Sequence, residues 1–250
     1  MGDVGGAIAA LRRALQPGEE AKALARIATE PMQKRAMDQF QKAVAKAPDI
    51  RTALKDQRVL QVVATALGIP DGASRPGLAV QALLSDPKDT KSLVNRLADT
   101  RWKAAAEALQ LGTKGLDALR DPKVQATLKE GLQRARWQDD LETKQAGLGD
   151  AVVFQERAAA VDGNVYAVLG DPVLRRVITG ALGLPESIAV QPVETQARAV
   201  QARLKLDKLD NPREVQRLAE RYLANVAMNE AGISGASSLA LLGWPGAFSA

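Results

Sequence analysis

What most constrains this chain is a stretch of sequence that occurs twice. Residues 56–70 read DQRVLQVVATALGIP and residues 171–185 read DPVLRRVITGALGLP. Without a gap, Asp56 pairs with Asp171, Val59 with Leu174, and Val62 and Val63 with Val177 and Ile178; Ala66, Leu67, Gly68 and Pro70 pair with Ala181, Leu182, Gly183 and Pro185. These are the positions a helix needs to begin, pack and end. An Asp caps the first turn, apolar residues at helical spacing form one stripe, and a Gly that tolerates a left-handed backbone closes the helix. None is a residue type that performs chemistry. The pattern predicts a duplicated structural unit instead of two active sites. Its period, about 115 residues, and its occurrence only twice exclude the short-period solenoids.

Helix punctuation is legible elsewhere. Thr29-Glu30-Pro31 opens a run over 31–47 with Met32, Ala36, Met37, Phe40 and Val44 on one stripe, and Asp49 caps a short turn through Leu54. Pro172 stands at the first helical position after Asp171. Asp121-Pro122 and Asn211-Pro212 predict helix starts, and Asp86-Pro87 a turn. Each copy continues through a loop, a helix (78–84, then 193–204), another loop and a final helix, in which residues 94–99 match 215–220. Between the copies, residues 122–160 read as one long helix with a weak point at Gly147-Leu148-Gly149. No strand alternation of useful length occurs. The expected fold is all-α, with two similar helical lobes from an internal duplication joined by a long helix. Its parts are an N-terminal helical segment (1–29), a first repeat (30–120), the connecting helix (121–160), a second repeat (161–232) and an apolar tail (233–250).

Composition narrows the chemistry. Aromatic residues make up 3% of the chain, so the core must be built from Ala, Val, Leu and Ile at close range. The chain contains no Cys, which removes disulfides, thiolate ligands and Cys nucleophiles, and no His, the commonest metal ligand and proton carrier near neutrality. Carboxylate, Lys, Ser/Thr or Tyr chemistry remains, without a constellation to carry it. Glu19-Glu20 and Asp139-Asp140 are adjacent on helices and point about 100° apart. Glu156 and Glu194 stand alone. Gly147-Leu148-Gly149 and Gly163-Asn164 follow no strand, and no Gly-Lys-Ser/Thr is present, so no phosphate loop is expected. No catalytic, cofactor-binding or metal-ligating residue is assigned, and no cofactor is expected.

The net charge of +5 raises nucleic acid or an anionic membrane as partners. The pattern argues against both: Lys129, Glu130, Arg134, Arg136, Asp139, Asp140, Glu142 and Lys144 interleave the two signs, as a solvated helix face does. Trp102 and Trp137, each beside basic residues, are expected as core anchors and not as a stacking platform. No stretch reaches the ~20 apolar residues of a membrane span. No basic-then-apolar secretory leader stands at residues 1–15, so a cytoplasmic protein is expected.

The tail differs in kind. ISGASSLALLGWPGAFSA, residues 233–250, carries no charged side chain, and its Leu239, Leu241, Leu242, Trp244 and Phe248 are the expected partner-binding residues. The alternative is a frayed end whose apolar residues fold back on the body.

Several of these segments resemble one bacterial family. The Asp56, Arg58, Leu60 core, the Ala-Leu-Gly-Ile break and the Ser-Leu-Val-Asn-Arg-Leu-Ala-Asp-Thr-Arg-Trp segment ending at Trp102 look like the family catalogued as domain of unknown function 1217. Phe154-Gln155-Glu156-Arg157-Ala158, the Asp-Pro-x-Leu helix and Thr-Gly-Ala-Leu-Gly-Leu-Pro resemble its C-terminal portion, so the likeness covers residues 30–230. The second copy lacks an Arg at the position of Arg58. The resemblance implies association with the bacterial flagellum and brings no catalytic residue. The expected function is a non-enzymatic helical protein meeting flagellar basal-body, hook or export components, cytoplasmic or associated with the flagellum. Two other classes stay open: a binder of anionic polymers, and an enzyme using carboxylate, Lys or Ser groups.

Overall fold

The computed structural model describes residues 3–230, and every regular element among them is helical. The chain is all-α. In order, the helices are α1 (Val4–Ala14), α2 (Glu19–Ile27), α3 (Pro31–Lys46), α4 (Ile50–Lys55), α5 (Gln57–Ala66), α6 (Pro76–Leu83), α7 (Arg101–Leu109) and α8 (Leu111–Lys114). There follow α9 (Leu116–Arg120), α10 (Pro122–Lys144), α11 (Leu148–Arg157), α12 (Val165–Gly170), α13 (Pro172–Ala181), α14 (Val193–Gln201) and α15 (Pro212–Glu230). Short 3₁₀ turns stand at Pro70–Ser74, Leu93–Asn95, Ala158–Val161, Glu186–Val190 and Leu206–Asp210. No helix among the described residues is long and apolar enough to cross a membrane.

The chain divides into two compact units. One is Glu20–Trp137; the other joins the chain up to Glu19 to the chain from Gln138 onward. The segment expected at 1–29 and the connector expected at 121–160 are therefore each divided between units. The connector is also broken: α10 stops at Lys144, and Gly147, at φ +79°, precedes α11.

The repeated segments build the same local structure. Asp56 accepts from the Arg58 N–H and Asp171 from those of Val173 and Leu174, which satisfies donors the first helical turn leaves without partners. At the other end, Gly68 (φ +72°) and Gly183 (φ +63°) turn the chain left-handed. The next residue then donates back to the helix, Ile69 to the Ala64 carbonyl at 2.8 Å and Leu184 to the Thr179 carbonyl at 2.9 Å. That is the Schellman closure, which only Gly enters without a Cβ penalty.

In the Glu20–Trp137 unit, α3 packs on α5 and α9, α5 on α4 and the Pro70–Ser74 turn, and α6 on α7. Phe40, Val44, Leu54, Leu60, Val63, Leu83, Trp102, Leu111, Leu119 and Leu128 form its core. In the other unit, α13 and α11 pack on α15, α1 packs on α15 and α11, and α12 lies against α13 and α14. Leu11, Phe154, Val168, Val177, Ile178, Val200 and Leu223 are buried there. Trp102 and Trp137 are buried anchors, as expected.

Two details differ from the sequence reading. Met32 lies at the first turn of α3, ahead of where the helix meets its neighbours, and is 78% exposed. Residues 94–99 are not helical like their partners 215–220 inside α15; α7 begins only at Arg101. The polar side chains of this stretch compete with helical backbone bonds. Asn95 Nδ2 donates to the carbonyls of Pro87 and Asp89, both at 2.8 Å, and Asp99 accepts from the Arg101 N–H.

A Cβ on Gly131 of α10 would stand 2.2 Å from the Ala66 carbonyl oxygen, so Gly131→Ala should destabilise the protein by about 1–3 kcal/mol through overpacking. Gly77→Ala, at an exposed helical position where a Cβ meets nothing, should stabilise it by about 0.5–1 kcal/mol. Urea unfolding of the two variants checks the opposite signs. The caps also predict an acid limb. The Thr52 N–H and hydroxyl hold the Asp49 carboxyl below its ordinary value, and the Arg58 side chain does the same for Asp56. A carboxyl depressed by folding contributes stability above its unfolded pKa, and that contribution is lost as the pH falls through the folded value. The urea midpoint should thus drop as the pH is taken below 3.8, and less steeply in Asp56→Asn, which keeps a cap acceptor without the titrating group.

Candidate functional site

The expected partner-binding residues Leu239, Leu241, Leu242, Trp244 and Phe248 lie outside the described residues. What the fold does bring together is a set of polar clusters and one bare apolar loop.

In the Glu20–Trp137 unit the cluster is centred on Arg101, whose side chain is 10% exposed. Its Nε and Nη2 grip both oxygens of Asp99, at 2.9 and 2.8 Å. Its Nη1 donates to the Gly68 carbonyl at 2.7 Å, and Nη2 also reaches Asp71 at 3.5 Å. Asp71 is further paired with Arg75. One guanidinium thus ties the start of α7 to the C-terminal cap of α5 and to the following 3₁₀ turn. The planar fork of Arg suits a bidentate carboxylate with donors left for a carbonyl, which a Lys ammonium would not reproduce. The next residue, Trp102, lies over Gly72 so closely that a Cβ there would meet its ring at 2.6 Å. The sequence block from Asp99 to Trp102 is therefore a clamp on the Pro70–Ser74 turn.

The other unit uses different groups. On α11, Asp150 receives both Nε and Nη2 of Arg176 at 2.7 Å and the Tyr222 hydroxyl at 3.3 Å. Burial, reinforced by the charges of Asp150 and Glu142, pushes the Tyr222 phenol well above its ordinary value, so it stays a hydrogen-bond donor. Nearby, the Arg157 guanidinium pairs with Asp171 at 3.2 Å, and that carboxylate is only 4% exposed. Asp171 is thus both a helix cap and the buried half of an ion pair whose Arg157 remains partly exposed. The two Asp caps that sequence alone treats as equivalent are unequal, because Asp56 is only partly buried and its partner Arg58 is exposed.

Gly147-Leu148-Gly149 also receives an assignment. The Gly147 and Gly149 N–H groups donate to Glu142 Oε1 and Oε2 at 2.7 and 3.1 Å. The N-terminal end of α11, where an anion would be favoured, is filled by the chain's own carboxylate. Glu156 and Glu194 are exposed, and among the described residues no cluster of acidic side chains is arranged to hold a metal.

The bare loop follows α13. Gln196, 6% exposed, donates its side-chain amide to the Gln191 carbonyl at 2.8 Å and the Ala189 carbonyl at 3.3 Å. These bonds bracket Val190, which is 84% exposed, with Val193 beyond it at 42%. In the Glu20–Trp137 unit the turn after α5 lies under Trp102, whereas Val190 and Val193 are open to solvent. No sequence signal separated the two loops, because the cover on the first comes from Trp102, a residue distant along the chain.

The fold and these clusters define an all-α protein whose charged groups act as internal clamps. A family model described as a protein of unknown function (DUF1217) matches residues 76–215, and the chain belongs to that family. An X-ray crystal structure of a protein from Agrobacterium tumefaciens superposes with a TM-score of 0.68 at 19% sequence identity, covering 88% of this chain and 92% of its own; the likeness is one of fold. No curated protein matches the sequence.

Unequal caps predict unequal costs. Asp56→Ala should lose about 1 kcal/mol, the ordinary value of a cap. Asp171→Ala also removes the partner of the partly buried Arg157, so its cost should rise to about 2 kcal/mol. Urea unfolding of the pair tests this, and equal losses would show that the Arg157 contact contributes nothing.

Proposed function

We propose that this is a non-enzymatic helical protein of the bacterial flagellar system that acts through protein–protein contacts, as an assembly, export or structural accessory. The flagellar setting rests on the family. The contact mode is supported above all by how the chain distributes its side chains. The charged groups that meet in each unit are consumed in clamps on backbone and on one another, whereas apolar groups are offered outward at Val190 and Val193. The uncharged tail sequence carries Leu239, Leu241, Leu242, Trp244 and Phe248, apolar residues of the kind partner segments use. Binding of an anionic polymer is disfavoured by the pairing of Arg12, Arg26, Arg134, Arg176 and Arg217 with carboxylates, which leaves interleaved and not one-signed charge.

The test is affinity capture from the native cell with the full chain, with residues 233–250 deleted, and with Val190→Asp. The full chain should recover hook, rod or export components. The truncation should fold with an unchanged helical circular dichroism spectrum and lose them, while Val190→Asp should weaken their recovery. Capture of the same proteins by the truncated chain would remove the tail from the reading, and recovery of no flagellar component would overturn it.

A further inference from the structure

The chain contains two Asp-Gly pairs, Asp71-Gly72 and Asp162-Gly163, and the fold treats them oppositely. In the first, the Asp71 carboxylate is held by Arg75 and Arg101. Its Gly72 is buried under the Trp102 ring, and the Gly72 N–H donates to the Ile69 carbonyl at 2.8 Å. In the second, Asp162 and Gly163 are both exposed, in the turn between the Ala158–Val161 3₁₀ turn and α12. Asp162 is a non-glycine residue in the left-handed region, at φ +47°, and Gly163 follows at φ +67°. A Cβ placed on Gly163 would meet nothing within 4 Å. Among the described residues neither the Asp162 carboxylate nor the Gly163 N–H makes a hydrogen bond or ion pair.

We propose that Asp162-Gly163 is a site of spontaneous aspartate isomerisation, and hence a substrate for a methyltransferase that recognises isoaspartyl carboxylates. The Gly163 nitrogen attacks the Asp162 side-chain carboxyl carbon. A C–N bond forms, the bond to one carboxyl oxygen breaks, and that oxygen leaves as water with the amide proton and the carboxyl proton. The product is a five-membered succinimide. Water then adds back: attack at the side-chain carbonyl restores aspartate, and attack at the main-chain carbonyl routes the backbone through the side chain as isoaspartate. No oxidant, reductant or net change of mass is involved.

Glycine as the following residue is what makes the attack feasible, since no Cβ obstructs the nitrogen's approach. The nitrogen must be free, and the chain must rotate about Asp162 ψ from its +49°. At Asp162 this rotation disturbs one turn whose Asn164 N–H bonds the Val161 carbonyl. At Asp71 the same rotation requires lifting Trp102 and releasing two guanidinium contacts, so reaction there waits on a larger opening of the fold. Isomerisation at Asp162 also has a structural readout. Asn164, two residues on, caps α12 by accepting from the Tyr166 and Ala167 N–H groups. An extra backbone methylene just before it displaces that cap and frees the first turn of α12.

The full-length chain is incubated in mildly acidic buffer, native and in urea, then labelled with an isoaspartyl methyltransferase and isotopic S-adenosylmethionine. Peptides are resolved by electron-transfer mass spectrometry. The native protein should carry at least about tenfold more label at Asp162 than at Asp71, the unfolded chain should label both alike, and Asp162→Glu should abolish the native signal. Hydrogen exchange at Tyr166 and Ala167 should quicken in the aged native sample. Equal labelling of both sites in the native protein, or no label at Asp162 while the unfolded chain reacts, would overturn the proposal.

Discussion

Helices in this protein approach until backbone meets backbone, and the rest of the structure follows from that closeness. With so few aromatic side chains, cores of Ala, Val and Leu fill space only if helix axes draw together. Gly131 lies against the carbonyl of Ala66 and Gly112 against that of Leu84, at separations no side chain would permit. The few large rings are placed where a glycine opposite gives them room, Trp102 over Gly72 and Tyr222 against Gly180. Such contacts have no slack. Sliding a helix by one residue would drive a Cβ into a carbonyl, so each helix must start and stop at a fixed position, and the Asp caps and Gly closures set those positions.

Charge serves the same end. Arg101 and Arg157 are largely buried, Arg176 is more than half exposed, and each is directed to a carboxylate that borders a helix start or a turn. Exposed ion pairs contribute little to stability, but a guanidinium that satisfies a carboxylate and a cap carbonyl together fixes geometry that neither group would hold alone. The glycine-flanked break between α10 and α11 obeys the same logic, with Glu142 supplying the acceptor that two backbone N–H groups require.

The helix boundaries were legible because their determinants are local. Asp56, Asp171, Gly68 and Gly183 act on residues within one turn of themselves, and Pro122 and Pro212 start α10 and α15 as expected. The non-helical stretch over 94–99 was not legible, because what unwinds it is Asn95 reaching back to Pro87 and Asp89 across a loop. Asp171 was read as a cap but not as the partner of Arg157, a residue on another helix. The apolar loop at Val190 was hidden for the same reason: its exposure depends on which distant side chains pack over it, which composition and spacing do not encode. The tail residues singled out by sequence lie outside the described residues.

Interruption of one unit by the other fixes an order of assembly. Helix α1 packs on α11 and α15, and Arg12 meets Glu220 at 3.0 Å, yet all of residues 20–137 are synthesised between α1 and these partners. As the chain emerges from the ribosome, the inserted unit has its whole core in hand once Leu132 is out, whereas α1 must wait for nearly the last helix before its buried face is covered. Leu11 and Ala7, fully buried in the finished protein, are thus the side chains exposed longest during synthesis. A nascent chain of this architecture carries α1 as an uncovered apolar helix until α15 arrives.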